Sequence, residues 1–529
     1  MRRLVYLTGA AVAVAMTALA FVPTAAASAK EPLCRRAPEL TQLPPEAAPQ
    51  QQQQGGGREY DAMEAPPPPP PPSPPPPPKY LPSVPPAVVM APSAPTTASP
   101  VTVISEESIA TTGSRTAKGK PPSASRTEDS IAPTVAPPPP PPAMAERESE
   151  PGESAYIERS PAPPAGLLTA GDHDDLLNPM LYARYVARAV KNLGQQIAGL
   201  PRVDTRRVLT ISVEDSSGRA APFVPVTLTC ADGNHLTLST LSDGRVAFFP
   251  ALDRLGDKVM VEAAGVRRAI AIDPASGGQQ QELVIGGAAR PVRKFDLMIA
   301  LDSTGSMGDE IEFLKSELHS ILGDIQHAYP DLDMRVGLVA YRDLGDDYVT
   351  RTDRFTPDFN VIQRSLQRTR GEGGGDMPEA MDQALIRAVG QDWRPDAVKT
   401  LLLVADAPPH DDLQGRAYAA AQAARARRIQ IVPVAASGVD DRAEYFMRAV
   451  AAATQSRYIF LTDDSGIGNA HKEPDVDCYL VTQLAGEIRR VLASQISGQR
   501  LEPFPGEVIR AVGEYDHGKC VLPKNFSVQ

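Results

Sequence analysis

The chain has 529 residues, room for two or three domains, with a net charge of −11, 5% aromatic residues and 55 prolines. An acidic chain with no basic stripe is not built to hold nucleic acid, so no nucleic-acid partner is expected. Most of the proline lies before residue 165, which confines the globular part to the remainder.

Residues 1–29 read as a secretory signal. Arg2 and Arg3 supply the positive end, Leu4 to Phe21 is apolar, and Ala27-Ser28-Ala29 is a small-residue cleavage site. That site makes cleavage the expectation, with an uncleaved anchor, for which the apolar run is barely long enough, as the alternative. "EPLC" around Cys34 lacks the small residues of a lipoprotein box. The expectation is an exported protein, periplasmic or at the cell surface, with no transmembrane segment after signal cleavage. Residues 30–165 carry "QQQQQGGG", a proline run from Pro66 to Pro78 and "PPPPPP" from Pro137 to Pro142. Such runs adopt extended polyproline II and cannot build a core. They are expected to form a disordered, semi-rigid spacer; docking of a polyproline-reading module is the rarer alternative.

Residues 166–203 form a predicted helical lead-in. Its run Asp172, His173, Asp174, Asp175 suits either a metal cluster or, better, a helix cap at Asp174 or Asp175 before the apolar positions Leu176, Leu177, Met180, Leu181 and Tyr185. From about 204 to 290 the hydrophobic period becomes two, broken by Asp/Ser/Gly turns. That spacing predicts a small antiparallel β-sandwich of immunoglobulin-like type, without a catalytic grouping.

Over 294–497 strands and helices alternate. Strands are predicted at Asp296–Asp302, Met334–Arg342, Thr400–Asp406, Ile429–Ala436 and Arg457–Leu461, with "DYVTRTDRF" as an edge strand hairpinned to the second. Helices are predicted near Gly308–Ala328, Met377–Val389, Gln414–Arg427, Arg442–Thr454 and Val481–Ser497. Near-continuous apolar strands belong to a parallel sheet covered on both faces. The fold class is therefore α/β, a doubly wound and mostly parallel sheet, preceded by the sandwich and followed by a tail at 498–529. The four cysteines have no CxxC spacing, which disfavours a zinc ribbon. Export favours disulfides, and Cys478–Cys520 is the preferred pair because it would pin the tail.

In such a sheet ligands lie at the carboxyl ends of the strands. Asp302 and Asp406 each close a predicted strand, Thr304 and Ser306 follow Asp302 at alternate positions, and "RGEGGGDMPEA" brings Glu372 or Asp376 to the same rim. A phosphate cradle is excluded by the carboxylates and the missing GK[ST] ending. A serine nucleophile lacks an elbow and a well-placed histidine. A helix cap explains one of these residues but not their alternation, whereas a hard divalent cation explains all of them.

Asp302-Ser303-Thr304-Gly305-Ser306 resembles the DxSxS signature of the metal-ion-dependent adhesion site in von Willebrand factor A domains, with Thr304 in the first serine position. "GLVAYRD", "GGGDMPEA" and "VADAPPHDD" further resemble exported bacterial proteins of this type. The resemblance implies that Thr304 and Ser306 bind the cation directly, with Asp302 and Asp406 holding it partly through water. It puts Asp376 where the family usually has threonine and leaves Glu372 in reserve. It implies Mg²⁺ first, with Mn²⁺ or Ca²⁺ as alternatives, and a non-enzymatic module that attaches an unidentified protein or cell-surface ligand. The rival expectations are a metal-assisted hydrolase and an envelope tether whose metal only stabilises the fold. Around the rim, Arg342 and Asp343 are expected to contact a partner or to pair with each other. His410, Asp411 and Asp412 are expected to serve a turn and helix start, and Leu461 to Asp475 to form a rim loop.

Overall fold

A computed structural model of the chain describes residues 32–46, 168–200, 202–273, 277–375, 377–466, 470–514 and 518–522. The expected signal peptide, the spacer from residue 47 onward and Asp376 lie outside the described residues.

The chain enters its main sheet earlier than the lead-in suggested. β1 (Thr169–His173) comes first, then α1 (Pro179–Leu193). Seven short strands follow: β2 (Leu209–Asp215), β3 (Pro225–Cys230), β4 (His235–Ser239), β5 (Arg245–Phe248), β6 (Lys258–Ala263), β7 (Val266–Ala271) and β8 (Gln279–Ile285). The remaining strands are β9 (Lys294–Asp302), β10 (Asp333–Tyr341), β11 (Thr350–Thr356), β12 (Val398–Ala405), β13 (Gln430–Ala435), β14 (Tyr458–Thr462), β15 (Tyr479–Gln483) and β16 (Arg510–Val512). Between them lie α2 (Gly308–Ala328), α3 (Phe359–Arg368), α4 (Met381–Val389), α5 (Gln414–Ala426), α6 (Asp441–Ala453) and α7 (Leu484–Ser497).

The main sheet has nine strands in the order β11-β10-β9-β12-β13-β14-β1-β15-β16. Its centre, β10-β9-β12-β13-β14, is parallel as expected. β11 hairpins onto β10 as expected, but β1, β15 and β16 add three antiparallel strands at the far side, so the sheet is mixed. Both faces are covered. In β9, Phe295, Leu297, Ile299 and Leu301 face the cluster formed with α2, α3 and α7, while Met298 and Ala300 face α1, α4, α5 and α6. Burial on both sides is why this strand is apolar without alternation. α2 turns Ile311, Leu314, Leu318, Ile321 and Ile325 inward at three- and four-residue steps, the stripe of a helix covering a sheet.

The acidic run that begins in β1 does not cap α1: Asp174 instead accepts from the Leu176 N–H at 3.0 Å, and among the described residues the run is part of no His/Cys/Asp/Glu group of three placed to hold a metal. Asp175 forms a paired ion bridge with the buried Arg448 of α6 at 2.7 Å, Asp172 pairs with Arg457, and the α1 cap position, Asn178, makes no side-chain cap bond. These carboxylates tie β1 and its turn to the far end of the chain.

β2 to β8 form a three-stranded sheet, β5-β2-β8, against a four-stranded one, β4-β3-β6-β7. Alternating residues such as Leu209, Ile211, Val226, Leu228 and Val261 fill the space between them. The arrangement is not wholly antiparallel, because β2 and β8 run parallel. Nor does it precede the α/β domain; it is inserted into it, after β1 and α1. Arg425 of α5 locks it in place with two bonds to Asp253, at 2.6 and 2.8 Å, and one to the Ala247 carbonyl. Phe249 contributes to the main core.

Cys478 and Cys520 are bonded as expected, and Cys34 pairs with Cys230. Among the described residues no helix is long and apolar enough to cross a membrane.

Candidate metal centre

β9 and β12 are adjacent and parallel, so Asp302 and Asp406 emerge side by side at their carboxyl ends. Asp302 is fully buried. Its Oδ1 accepts from the Thr304 backbone N–H at 3.0 Å and from the Thr304 hydroxyl at 2.7 Å. The Thr304 and Ser306 hydroxyl oxygens stand 3.5 Å apart, and Ser306 also bonds to Asp406. Neither hydroxyl caps the helical turn that follows. Alternation after a strand end has placed both on one side of the turn, where they face the two carboxylates.

The opposite wall is the glycine loop. Gly373, Gly374 and Gly375 all take positive φ, and the need for glycine is steric as well as conformational. A Cβ on Gly374 would sit 2.9 Å from Glu379 Oε1 and 3.2 Å from Thr304, and one on Gly373 would meet the Asp346 carboxylate at 2.6 Å. The loop is held by Gly305 N–H to the Gly373 carbonyl at 3.2 Å and by Gly374 N–H to Asp346 Oδ2 at 2.9 Å. Between these walls opens a cleft of about 520 Å³, lined by Thr304, Ser306, Gly374, Glu379, Asp406 and Ser437 among others.

The cleft is short of positive charge. Burial, reinforced by the Asp406 charge, pushes the Asp302 carboxyl well above the usual range, and burial also raises Asp406. Glu379 is pushed up to about 9, first by burial and then by Asp302, Asp343, Asp406 and Asp346. Asp406 Oδ1 and Glu379 Oε2 are buried and, among the described residues, have no hydrogen-bond partner, while the buried Asp302 carboxylate has the Tyr341 hydroxyl beside it. Unpaired buried acceptors are costly, so those of Asp406 and Glu379, both lining the cleft, mark a place for a positively charged ligand.

Among the described residues, His, Cys, Asp and Glu side chains alone form no group of three placed to hold a metal. The two hydroxyls are therefore an essential part of the donor set. All-oxygen donors, carboxylate and hydroxyl, are the chemistry of a hard divalent cation. Asp302, Thr304, Ser306 and Asp406 are the oxygen donors gathered at this corner, and Glu379 lines the same cleft as Thr304, Ser306 and Asp406.

Glu379 was missed in the sequence, where Glu372 and Asp376 drew attention instead. Glu372 points away, to Arg342 at 3.4 Å, and its side chain is largely exposed. The available signal was a third carboxylate in "GGGDMPEA", immediately before α4. Arg342 and Asp343 do not pair with each other: Arg342 donates to the Ser303 and Arg370 carbonyls and lies over Tyr348, while Asp343 bonds His410 at 2.6 Å. The rim loop does reach the cleft, through Ala470. Behind it, His471 bonds Asp463 at 2.8 Å and Ser437 at 3.0 Å, in the order of a serine–histidine–aspartate relay. The Ser437 hydroxyl, however, donates to Glu310 at 2.7 Å, so its single proton is directed away from the imidazole.

Residues 296–472 match the von Willebrand factor A domain family, and this part of the chain is a von Willebrand factor A domain. Domains of this family typically mediate protein–protein interaction or adhesion. Over 125 residues the chain is 29% identical to alpha-protein kinase vwkA of Dictyostelium discoideum, spanning 23% of this chain and 20% of that protein. The chain thus spans about a fifth of that relative's own length. Among solved structures, BatB from Bacteroides thetaiotaomicron is 14% identical, over 39% of this chain and 98% of that one, with a TM-score of 0.27. The pilus adhesin SpaC from Lactobacillus rhamnosus GG, in its open conformation, is 12% identical over 46% and 31%, with a TM-score of 0.29.

Proposed function

We propose that this is an exported, non-enzymatic binding module that attaches a protein or cell-surface partner through a divalent cation. The observation that carries the reading is the pair of unpartnered carboxylate oxygens on Asp406 and Glu379, facing one cleft beside the Thr304 and Ser306 hydroxyls, with Asp302 buried directly behind Thr304. Thr304 and Ser306 offer neutral oxygens, Asp302 and Asp406 supply charge, and Glu379 closes the set opposite Thr304. By the family resemblance Asp376 is a further donor. The cation, Mg²⁺ before Mn²⁺ or Ca²⁺, would offer an open coordination position to a partner oxygen. What the chain's own residues do is fix the donors and exclude competing hydrogen bonds. Two disulfides support export to an oxidising compartment.

The test is thermal unfolding of the full chain with each cation, beside Asp302→Ala. A cation at a hundred times its dissociation constant adds about 2.7 kcal/mol to the native state. A rise in the unaltered protein that the variant lacks supports the reading, and equal behaviour refutes it. A second reading, a hydrolase, would need the Ser437 proton, which is donated to Glu310, to turn to His471 in the Ser437–His471–Asp463 order. Labelling of Ser437 by a fluorophosphonate, abolished in His471→Ala, would establish it in place of the binding module.

A further inference from the structure

The start of the expected spacer is not a spacer. Residues 32–46 are part of the folded unit. Cys34 is buried and joined to Cys230 at the end of β3, and the backbone around it is bonded to Asp232, Asp253 and Arg254. The segment then crosses α5 and buries part of Leu40 and Leu43 against the core shared by α4 and α5. At its far end Glu46 accepts from the Thr352 N–H at 3.1 Å and from the Thr352 hydroxyl at 2.6 Å, on the free edge of β11. The same carboxylate pairs with Arg387 of α4 at 3.6 Å, and Arg387 also bonds the Pro44 carbonyl.

Both elements grasped by Glu46 carry a wall of the cleft. α4 starts two residues after Glu379. β11 is the return arm of the hairpin whose Asp346 holds the Gly374 N–H. An ion pair as long as 3.6 Å between partly exposed side chains holds little by itself. Joined covalently at Cys34, its effective concentration is high enough to keep it closed.

We propose that residues 32–46 act as a disulfide-anchored strap that clamps α4 to β11 and so positions the glycine loop and Glu379. The clamp stands on these contacts alone; its consequence for cation affinity rests on the function proposed above. Glu46, Thr352 and Arg387 are positioning residues. They touch no cleft donor, and act through α4 and the β10–β11 hairpin.

The test uses the full-length oxidised chain, a Glu46→Gln variant that keeps the disulfide, and a Cys34→Ser/Cys230→Ser variant. Hydrogen exchange is followed over 371–375 and α4, and Mn²⁺ affinity is measured by calorimetry. Faster exchange at both places in both variants, with Mn²⁺ binding weakened about tenfold, is the expected result; supporting residues around a metal typically act on that scale. Should the paired cysteine variant fail to fold, Glu46→Gln alone decides. Unchanged exchange in Glu46→Gln overturns the clamp, and faster exchange with unaltered Mn²⁺ affinity overturns its control of the cleft. Faster exchange with no Mn²⁺ binding by any form, the unaltered chain included, leaves the clamp standing and removes the cation reading instead.

Discussion

Cation binding should eject a proton from Glu379, and Glu379→Gln should remove that proton from the count. In the cation-free protein, burial and four neighbouring carboxylates raise this group from 4.5 to about 9. At pH 7 it is therefore neutral. Ionising it at pH 7 costs about 3 kcal/mol, since each pH unit below the raised value is worth roughly 1.4 kcal/mol. The sign follows from linkage. The folded state holds this proton more tightly than the unfolded chain, so its stabilising contribution is complete below pH 4.5 and is lost as pH rises toward 9. A bound cation reverses the preference, because it needs the anion. Mg²⁺ affinity should then rise about tenfold per pH unit for each proton released, up to about pH 9 for Glu379. Glu379→Gln is isosteric and should reduce the slope of log Kd against pH by about one. It should also flatten the loss of cation-free stability between pH 5 and 9, read by urea unfolding in steps of about one pH unit. Calorimetry at pH 7 in buffers of different ionisation enthalpy counts the protons directly. If the unaltered protein releases none on binding Mg²⁺, or the variant releases the same number, then Glu379 is not a donor and its burial is merely structural.

Arg425→Ala should destabilise the whole unit by about 3–5 kcal/mol, the scale for breaking a buried ion pair, because it strands Asp253 beneath the inserted sandwich; urea unfolding followed from both sheet systems would move as one transition. On the acid side, burial works against the Asp175 carboxylate, but Arg448 and His173 outweigh it and hold the group down at about 2. Its contribution is present above its ordinary value near 3.8 and should be lost as pH falls from there toward about 2, with Asp175→Asn lacking that transition. Replacing both Cys478 and Cys520 by serine opens a loop of 42 residues, which loop entropy values at about 4 kcal/mol. Limited proteolysis should then remove the tail after Gly498 before the core is touched, whereas the oxidised protein should resist.

What was legible in the sequence were the features that local chemistry dictates. Parallel central strands buried on both faces must be apolar throughout, so β9 and β12 announced themselves and put Asp302 and Asp406 at their ends. Thr304 and Ser306 could be read because alternation after a strand fixes their side. β1 could not be read: "TAGDH" has little apolar character, and its partners in β14 begin 293 residues away by the pairing of Thr169 with Thr462. Glu379 escaped because three consecutive positive-φ glycines, not a regular element, carry it to the cleft. The pairing of Cys34 with Cys230 likewise depends on a fold that brings residues 196 apart together, which no spacing rule reports.

The place of β1 between β14 and β15 has a consequence for how the chain assembles. Thr169 is made early, yet it pairs with Thr462 on one side and Gln483 on the other, so a chain emerging amino end first must hold this strand in waiting until nearly all the rest has arrived. β1 is then a keystone set last. A piece cut at Lys294 would contain every residue of the 296–472 family match and still have a missing course of masonry, with β14 and β15 facing each other across about 10 Å, the span of two strand spacings. Two raw edges of that kind invite pairing with other chains. In this chain the self-sufficient form of the domain therefore begins before Thr169 and carries the sandwich with it.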